Sequence, residues 1–200
     1  MRLVSLALIG LVMAFAADAQ AQTPQTRVRG AVERLEGHSL TVKAQDGAVT
    51  TVALAPNYSI GAVVKASMAD IRKGSFVGVG ARPQAGGGLA AVQVFIFPEA
   101  MRGTGEGHKP WGVLPDSTMT NATVAETVSQ VEGGSVTLTY PGGEQTIAIP
   151  PEANIIMAAP AQTGDLVAGA QVAMTASRQA DGSLSSSRVT IAKAGAQLPL

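Results

Sequence analysis

Asp70-Ile71-Arg72-Lys73-Gly74 recurs 95 positions later as Asp165-Leu166-Val167-Ala168-Gly169. Working outward at that offset, Val52 meets Ile147, Leu54 meets Ile149, Pro56 meets Pro151 and Val77 meets Val172. Leu89 and Leu184, Val94 and Val189, and Ile96 and Ile191 continue the series. Upstream the offset becomes 96, where Glu36-Gly37-His38-Ser39-Leu40-Thr41 matches Glu132-Gly133-Gly134-Ser135-Val136-Thr137. A one-residue deletion in a turn accounts for the slip. Ordered self-similarity over a whole unit is the mark of an internal repeat, so two copies of one small domain are expected, over residues 27–97 and 120–192.

Each copy reads as five strands. In the first, Val28–Leu35 ends at Glu36-Gly37, and Ser39–Ala44 alternates with Leu40 and Val42 on one face. Asp46-Gly47 signals a hairpin turn, Val49–Leu54 follows, and Pro56-Asn57 is expected to break the chain before a short edge piece at Val63-Val64. Ser67 is placed to cap a single helical turn, with Gly74 at its C-cap. Phe76–Ala81 and Leu89–Phe97 complete the unit. In the second copy the strands are Thr123–Val131, Ser135–Tyr140, Glu144–Ile149, Ala170–Ser177 and Ser185–Ala192. Three strands, a short helix and two strands is the order of an OB-type Greek-key barrel. The expected fold class is therefore all-β, with two tandem OB-like barrels.

Composition narrows the partners. Formal net charge is zero and aromatics make up 4% of the chain, so neither the basic footprint of a nucleic-acid binder nor its stacking platform is expected. No polybasic lipid-binding surface is expected either. Cysteine is absent, which removes disulfides, thiolate metal sites and a cysteine nucleophile. Arg2, the apolar run Leu3–Ala17 and the small-residue site Ala19-Gln20-Ala21 have the layout of a secretory signal peptide over residues 1–21, cut after Ala21. The expected location is the periplasm or the exterior. The apolar run is shorter than a membrane span needs, and no span is expected after cleavage.

Between the copies, residues 98–119 match nothing in either repeat and hold the only tryptophan. The run from Phe97 reads Phe-Pro-Glu99-Ala-Met101-Arg102-Gly103-Thr-Gly105-Glu106-Gly107-His108-Lys109-Pro110-Trp111. A connection of this length with such side chains is more often functional than an ordinary linker. The run resembles the signature of DUF5666, a domain family of small exported bacterial proteins. Phe97 to His108 match throughout, as do Pro110 and Trp111, whereas Gly112 stands where the family has aspartate. Ser117–Val124 and Val63–Ser67 resemble the family as well. The resemblance implies an exported OB-like domain and brings no activity with it.

Several chemistries compete for the loop. Glu99, Arg102, Glu106, His108, Lys109 and Trp111 are the candidate ligand- or partner-binding residues. Arg102, Lys109 and Trp111 offer an anion or partner patch, because a guanidinium clamps carboxylates with two bonds and an indole is a large anchor. The structural alternative has Trp111 wedged between the two barrels and Arg102 tied to Glu99 or Glu106. Glu99 and Glu106 as an acid–base pair would need rigid, fixed separations that a Gly-rich loop does not promise. His108 and Glu106, with Met101, form an alternative metal set, although zinc sites ordinarily take three or four ligands. The glycines at 103, 105 and 107 have the wrong spacing for a phosphate loop or a dinucleotide fingerprint. The expectation is a non-enzymatic binding or accessory module without a cofactor. Its partner would be a periplasmic protein, an envelope polymer or a small ligand, with metal binding as the alternative and a hydrolytic enzyme behind it.

Overall fold

The structure is a computed structural model that describes residues 24–130 and 133–200. The expected signal peptide, residues 1–21, lies outside the described residues. The described chain is all-β. Its strands are β1 (Gln25–Glu36), β2 (Ser39–Lys43), β3 (Val49–Lys65), β4 (Phe76–Pro83), β5 (Leu89–Ile96), β6 (Gly107–Pro110), β7 (Thr118–Gln130), β8 (Gly133–Tyr140), β9 (Gly143–Ile149), β10 (Asn154–Ala159), β11 (Gln171–Arg178) and β12 (Leu184–Ala192). The only helical pieces among the described residues are three 3-10 turns, at Met68–Asp70, Glu99–Met101 and Thr163–Asp165.

Strand pairing closes two circuits. In the first, β1 pairs with β2, β2 with β3, β3 in parallel with β12, β12 with β11, and β11 returns to β1. In the second, β7 pairs with β8, β8 with β9, β9 in parallel with β5, β5 with β4, and β4 returns to β7. Each barrel therefore takes three strands from one half of the chain and two from the other. The units 27–97 and 120–192 do not each close on themselves; they exchange their last two strands. Each barrel has its own core. Val28, Val32, Leu40, Val52, Val172 and Ile191 pack in the first. Val77, Val79, Val124, Leu138 and Ile147 pack in the second.

β3 makes the exchange. It runs for 17 residues without interruption, about 56 Å at the rise of an extended strand. Pro56-Asn57 was expected to end it. These residues instead fall where β3 needs no ladder partner, since β2 pairs with β3 as far as Ala53 and β12 resumes pairing at Ser59. A proline lacking an N–H is tolerated in such a gap. Val63-Val64, expected as a separate edge piece, belongs to the same strand and pairs antiparallel with β10. Val63 lies opposite Ala158, and Ser59–Arg188 pairing on one side is mirrored by Asn154–Gln93 pairing on the other. All three relations carry the 95-residue offset, so the junction is locally two-fold.

The repeated pentapeptide has a physical role in both halves. Asp70 accepts hydrogen bonds from Ser67 N and Oγ, each 2.8 Å long, and Asp165 accepts one from Gln162 N at 2.8 Å. Ile71 and Leu166 then enter the two cores. Gly74 and Gly169 both have φ +86°, where a side chain is strained. They donate to Val124 O and Val32 O, each at 2.8 Å, locking the turn onto a barrel strand.

Candidate functional site

Strand β4 sets the site. Its sequence Phe76-Val77-Gly78-Val79-Gly80-Ala81 alternates, with Val77, Val79 and Ala81 wholly buried in the second core. Phe76, Gly78 and Gly80 therefore face outward, beside Thr123, Asn121 and Met119 of β7. The segment after β5 folds down over this face. Phe97 donates its amide to Phe76 O at 3.0 Å. The Phe97 ring lies 5.3 Å from that of Phe76 and 4.7 Å from that of Phe95, centroid to centroid. Added Cβ atoms show how tight the cover is. One on Gly78 would come within 2.7 Å of Asn121 Oδ1 and 3.0 Å of Phe97 Cε2, and one on Gly80 within 2.5 Å of Trp111 Cζ3.

Arg102 is the rivet. Its Nε and Nη2 form a two-bond fork on Glu99, at 2.5 and 2.7 Å. Nη2 also donates to Gly74 O at 2.9 Å, and Nη1 to Thr123 Oγ1 at 3.2 Å. The guanidinium carbon lies 5.9 Å from the centre of the Phe76 ring, within cation–π range. The fork holds the Glu99 carboxyl below the ordinary carboxylate range and raises Arg102 in return. Glu99 is thus an ionised, engaged carboxylate and a poor proton donor. Glu106 belongs to none of the ion pairs among the described residues.

The three glycines of the loop have a conformational purpose. Gly103, Gly105 and Gly107 have φ of +83°, +58° and +122°, which explains their alternate spacing without a phosphate. Between them, Thr104 O accepts from Asn121 Nδ2 at 2.9 Å and Gly105 O from Lys109 Nζ at 3.3 Å. The chain then enters β6, which was expected as loop. β6 is antiparallel to the first half of β7, pairing Gly107 with Asn121 and Pro110 with Thr118. His108 Nδ1 lies 2.8 Å from Thr120 Oγ1, and its ring is near-parallel to that of Tyr140, 6.3 Å away.

Trp111 does not separate two barrels, as the structural alternative had it. It lies on Gly80 of β4, with its amide donating to Ser117 O at 2.9 Å. The structure thus brings Phe97, Glu99, Arg102 and Trp111 onto one barrel face. Glu106, His108 and Lys109 stand exposed along the rim. Among the described residues no group of three or more His, Cys, Asp or Glu side chains converges to hold a metal, and Met101, of the alternative metal set, sits half-buried in the 3-10 turn. Sequence reasoning missed Phe76, Gly78, Gly80, Thr120, Asn121 and Tyr140. The Val-Gly-Val-Gly run of β4 was the available signal, since a strand that alternates valine with glycine leaves one face bare for something to cover it.

No family model, no curated protein and no solved structure matches the chain.

Proposed function

We propose that this protein is an exported, non-enzymatic binding or accessory module, related to DUF5666 and built from a duplicated OB-like unit. Its recognition element is the exposed rim of the signature loop. The observation that carries the reading is a division of labour within that loop. Phe97, Glu99, Arg102 and Trp111 hold the segment to β4 and β7. Glu106, His108 and Lys109 are left exposed on and beside β6, a four-residue strand whose one partner among the described strands is β7. A strand with one open edge, presenting an acid, an imidazole and an ammonium, suits docking of an extended polar segment by strand addition. The pairing order of each circuit, closed by one parallel pair (β3 with β12, β9 with β5) and with a 3-10 turn leading into β11 or β4, supports the OB-like assignment. The shared 95-residue offset of the pairings around β3 and β10 supports duplication. The relationship to DUF5666 and the export rest on the sequence signatures alone.

A photo-crosslinking amino acid at Lys109, in protein expressed in the bacterial periplasm, tests the rim. A discrete adduct is expected from position 109 and none from the exposed Val49 on the first barrel. Equal labelling from both positions, or no adduct from either, contradicts the reading.

A further inference from the structure

The face that the signature loop covers on one barrel has a counterpart on the other. On the second barrel, Gly78 pairs with Asn121 and Gly80 with Met119. On the first, Ala173 and Thr175, 95 positions after those glycines, pair with Arg29 and Arg27, each 92 positions before its counterpart on β7. Asn121 donates to Thr104 O of the loop, and Arg29 Nη2 donates to Leu198 O at 3.3 Å. The two faces thus share strands, register and an anchoring donor. They differ in their cover. The second carries Phe97 and Trp111, whereas the first is bordered by Pro199 and Leu200 and remains a trough of about 590 Å³. That is within the range of small-ligand sites.

The chemistry of this trough is one-sided. Its floor is the outward face of β11, with the small residues Ala173, Thr175 and Ser177. Arg27 and Arg29 rise on the β1 side and Arg188 on the β12 side, with hydroxyls at Ser185, Ser186, Ser187 and Thr190. None of the described residues lining it is an aspartate or glutamate. None of the three arginines takes part in an ion pair among the described residues. Arg27 and Arg29 are two apart on one strand face, so their backbones are about 7 Å apart. Burial, then the charge of Arg27, lowers the pKa of Arg29.

We propose that this trough binds a small oligoanion, a molecule carrying two or more phosphate or carboxylate groups, held by Arg27, Arg29 and Arg188. The guanidinium fork suits both oxyanions. The ligand occupies on the first barrel the place that the signature loop fills on the second. The inference is independent of the rim reading, because it concerns the other barrel and other residues.

The test uses the whole chain at low ionic strength, with tripolyphosphate in one calorimetric titration and citrate in the other. Saturable binding of at least one probe is expected, with amide shift changes centred on Arg27, Thr175 and Arg188. The paired variant Arg27→Gln with Arg188→Gln, both exposed positions, is expected to weaken it at least tenfold while melting near the wild-type temperature. Lys43→Gln with Lys73→Gln removes the same charge away from the trough and is expected to bind as wild type does. Tripolyphosphate alone binding assigns a phosphate ligand, and citrate alone a polycarboxylate. No saturable binding of either probe, equal losses in the two variants, or shifts centred on the signature loop would each overturn the proposal.

Discussion

Replacing Gly80 by valine is expected to lift Trp111 off β4, shift the tryptophan emission to longer wavelength and lower the melting temperature. A Cβ at this position would sit 2.5 and 2.6 Å from the Cζ3 and Cη2 atoms of the indole, and its backbone φ is unexceptional. The effect is therefore steric rather than conformational. Valine adds two methyl groups beyond that Cβ, and overpacking of this kind costs about 1–3 kcal/mol. For a chain of this size that corresponds to roughly 2–4 °C per kcal/mol. Trp111 is the only tryptophan, so the emission reports on this contact alone. Gly61→Ala provides the control, because a Cβ there meets nothing within 4 Å. Unchanged emission and an unchanged melting temperature in Gly80→Val would show that the loop does not rest on β4.

A fragment of residues 24–97 is expected not to fold as a monomer, although it contains the whole of the first expected unit. It carries β1 to β3 of one barrel and β4 and β5 of the other. Without β11 and β12, the apolar face of Val28, Leu40 and Val52 loses Val172, Val189 and Ile191, and the β1 and β3 edges are left open. Exposed edges of this kind favour association. Circular dichroism and size-exclusion chromatography are expected to show a disordered or self-associated species. Cooperative melting should return on mixing with residues 98–200. A monomeric fragment that melts cooperatively by itself would contradict the exchange.

Much of the strand content was legible because alternation of valine, leucine and isoleucine with polar residues marks a strand and its buried face. Val77 and Val172 were readable in that way, and Gly74 by its place at the C-cap of a helical turn. The exchange was not. Alternation tells which side of β12 faces a core, but not whether that core belongs to β3 or to β9. The two halves of the chain have similar alternating patterns, so local sequence is silent on which half completes which barrel. Pro56-Asn57 misled for a related reason, since a break signal says nothing about whether a ladder partner is wanted there. Residues 98–119 stood out by composition, yet the reason Trp111 and Phe97 are held lies at Gly78 and Gly80, on a strand read only as core. The arginine trough was invisible in a chain of zero formal charge, because Arg27, Arg29 and Arg188 meet only through the pairing of β1 and β12 with β11.

Strand exchange underlies both the covered face and the open trough, and engineered disulfides test it most directly. The chain has no cysteine, so a designed pair has no competitor. Gln25 pairs with Ser177 across β1 and β11, and opposed antiparallel residues have Cα separations within disulfide range. If each repeat closed on itself, Gln25 would instead oppose Arg82, which lies 95 positions before Ser177. Mild oxidation of Gln25→Cys with Ser177→Cys is expected to give a cross-linked monomer, whereas Gln25→Cys with Arg82→Cys stays reduced. The opposite outcome, a monomer cross-linked through positions 25 and 82 but not through 25 and 177, would return each barrel to a single repeat and remove the exchange.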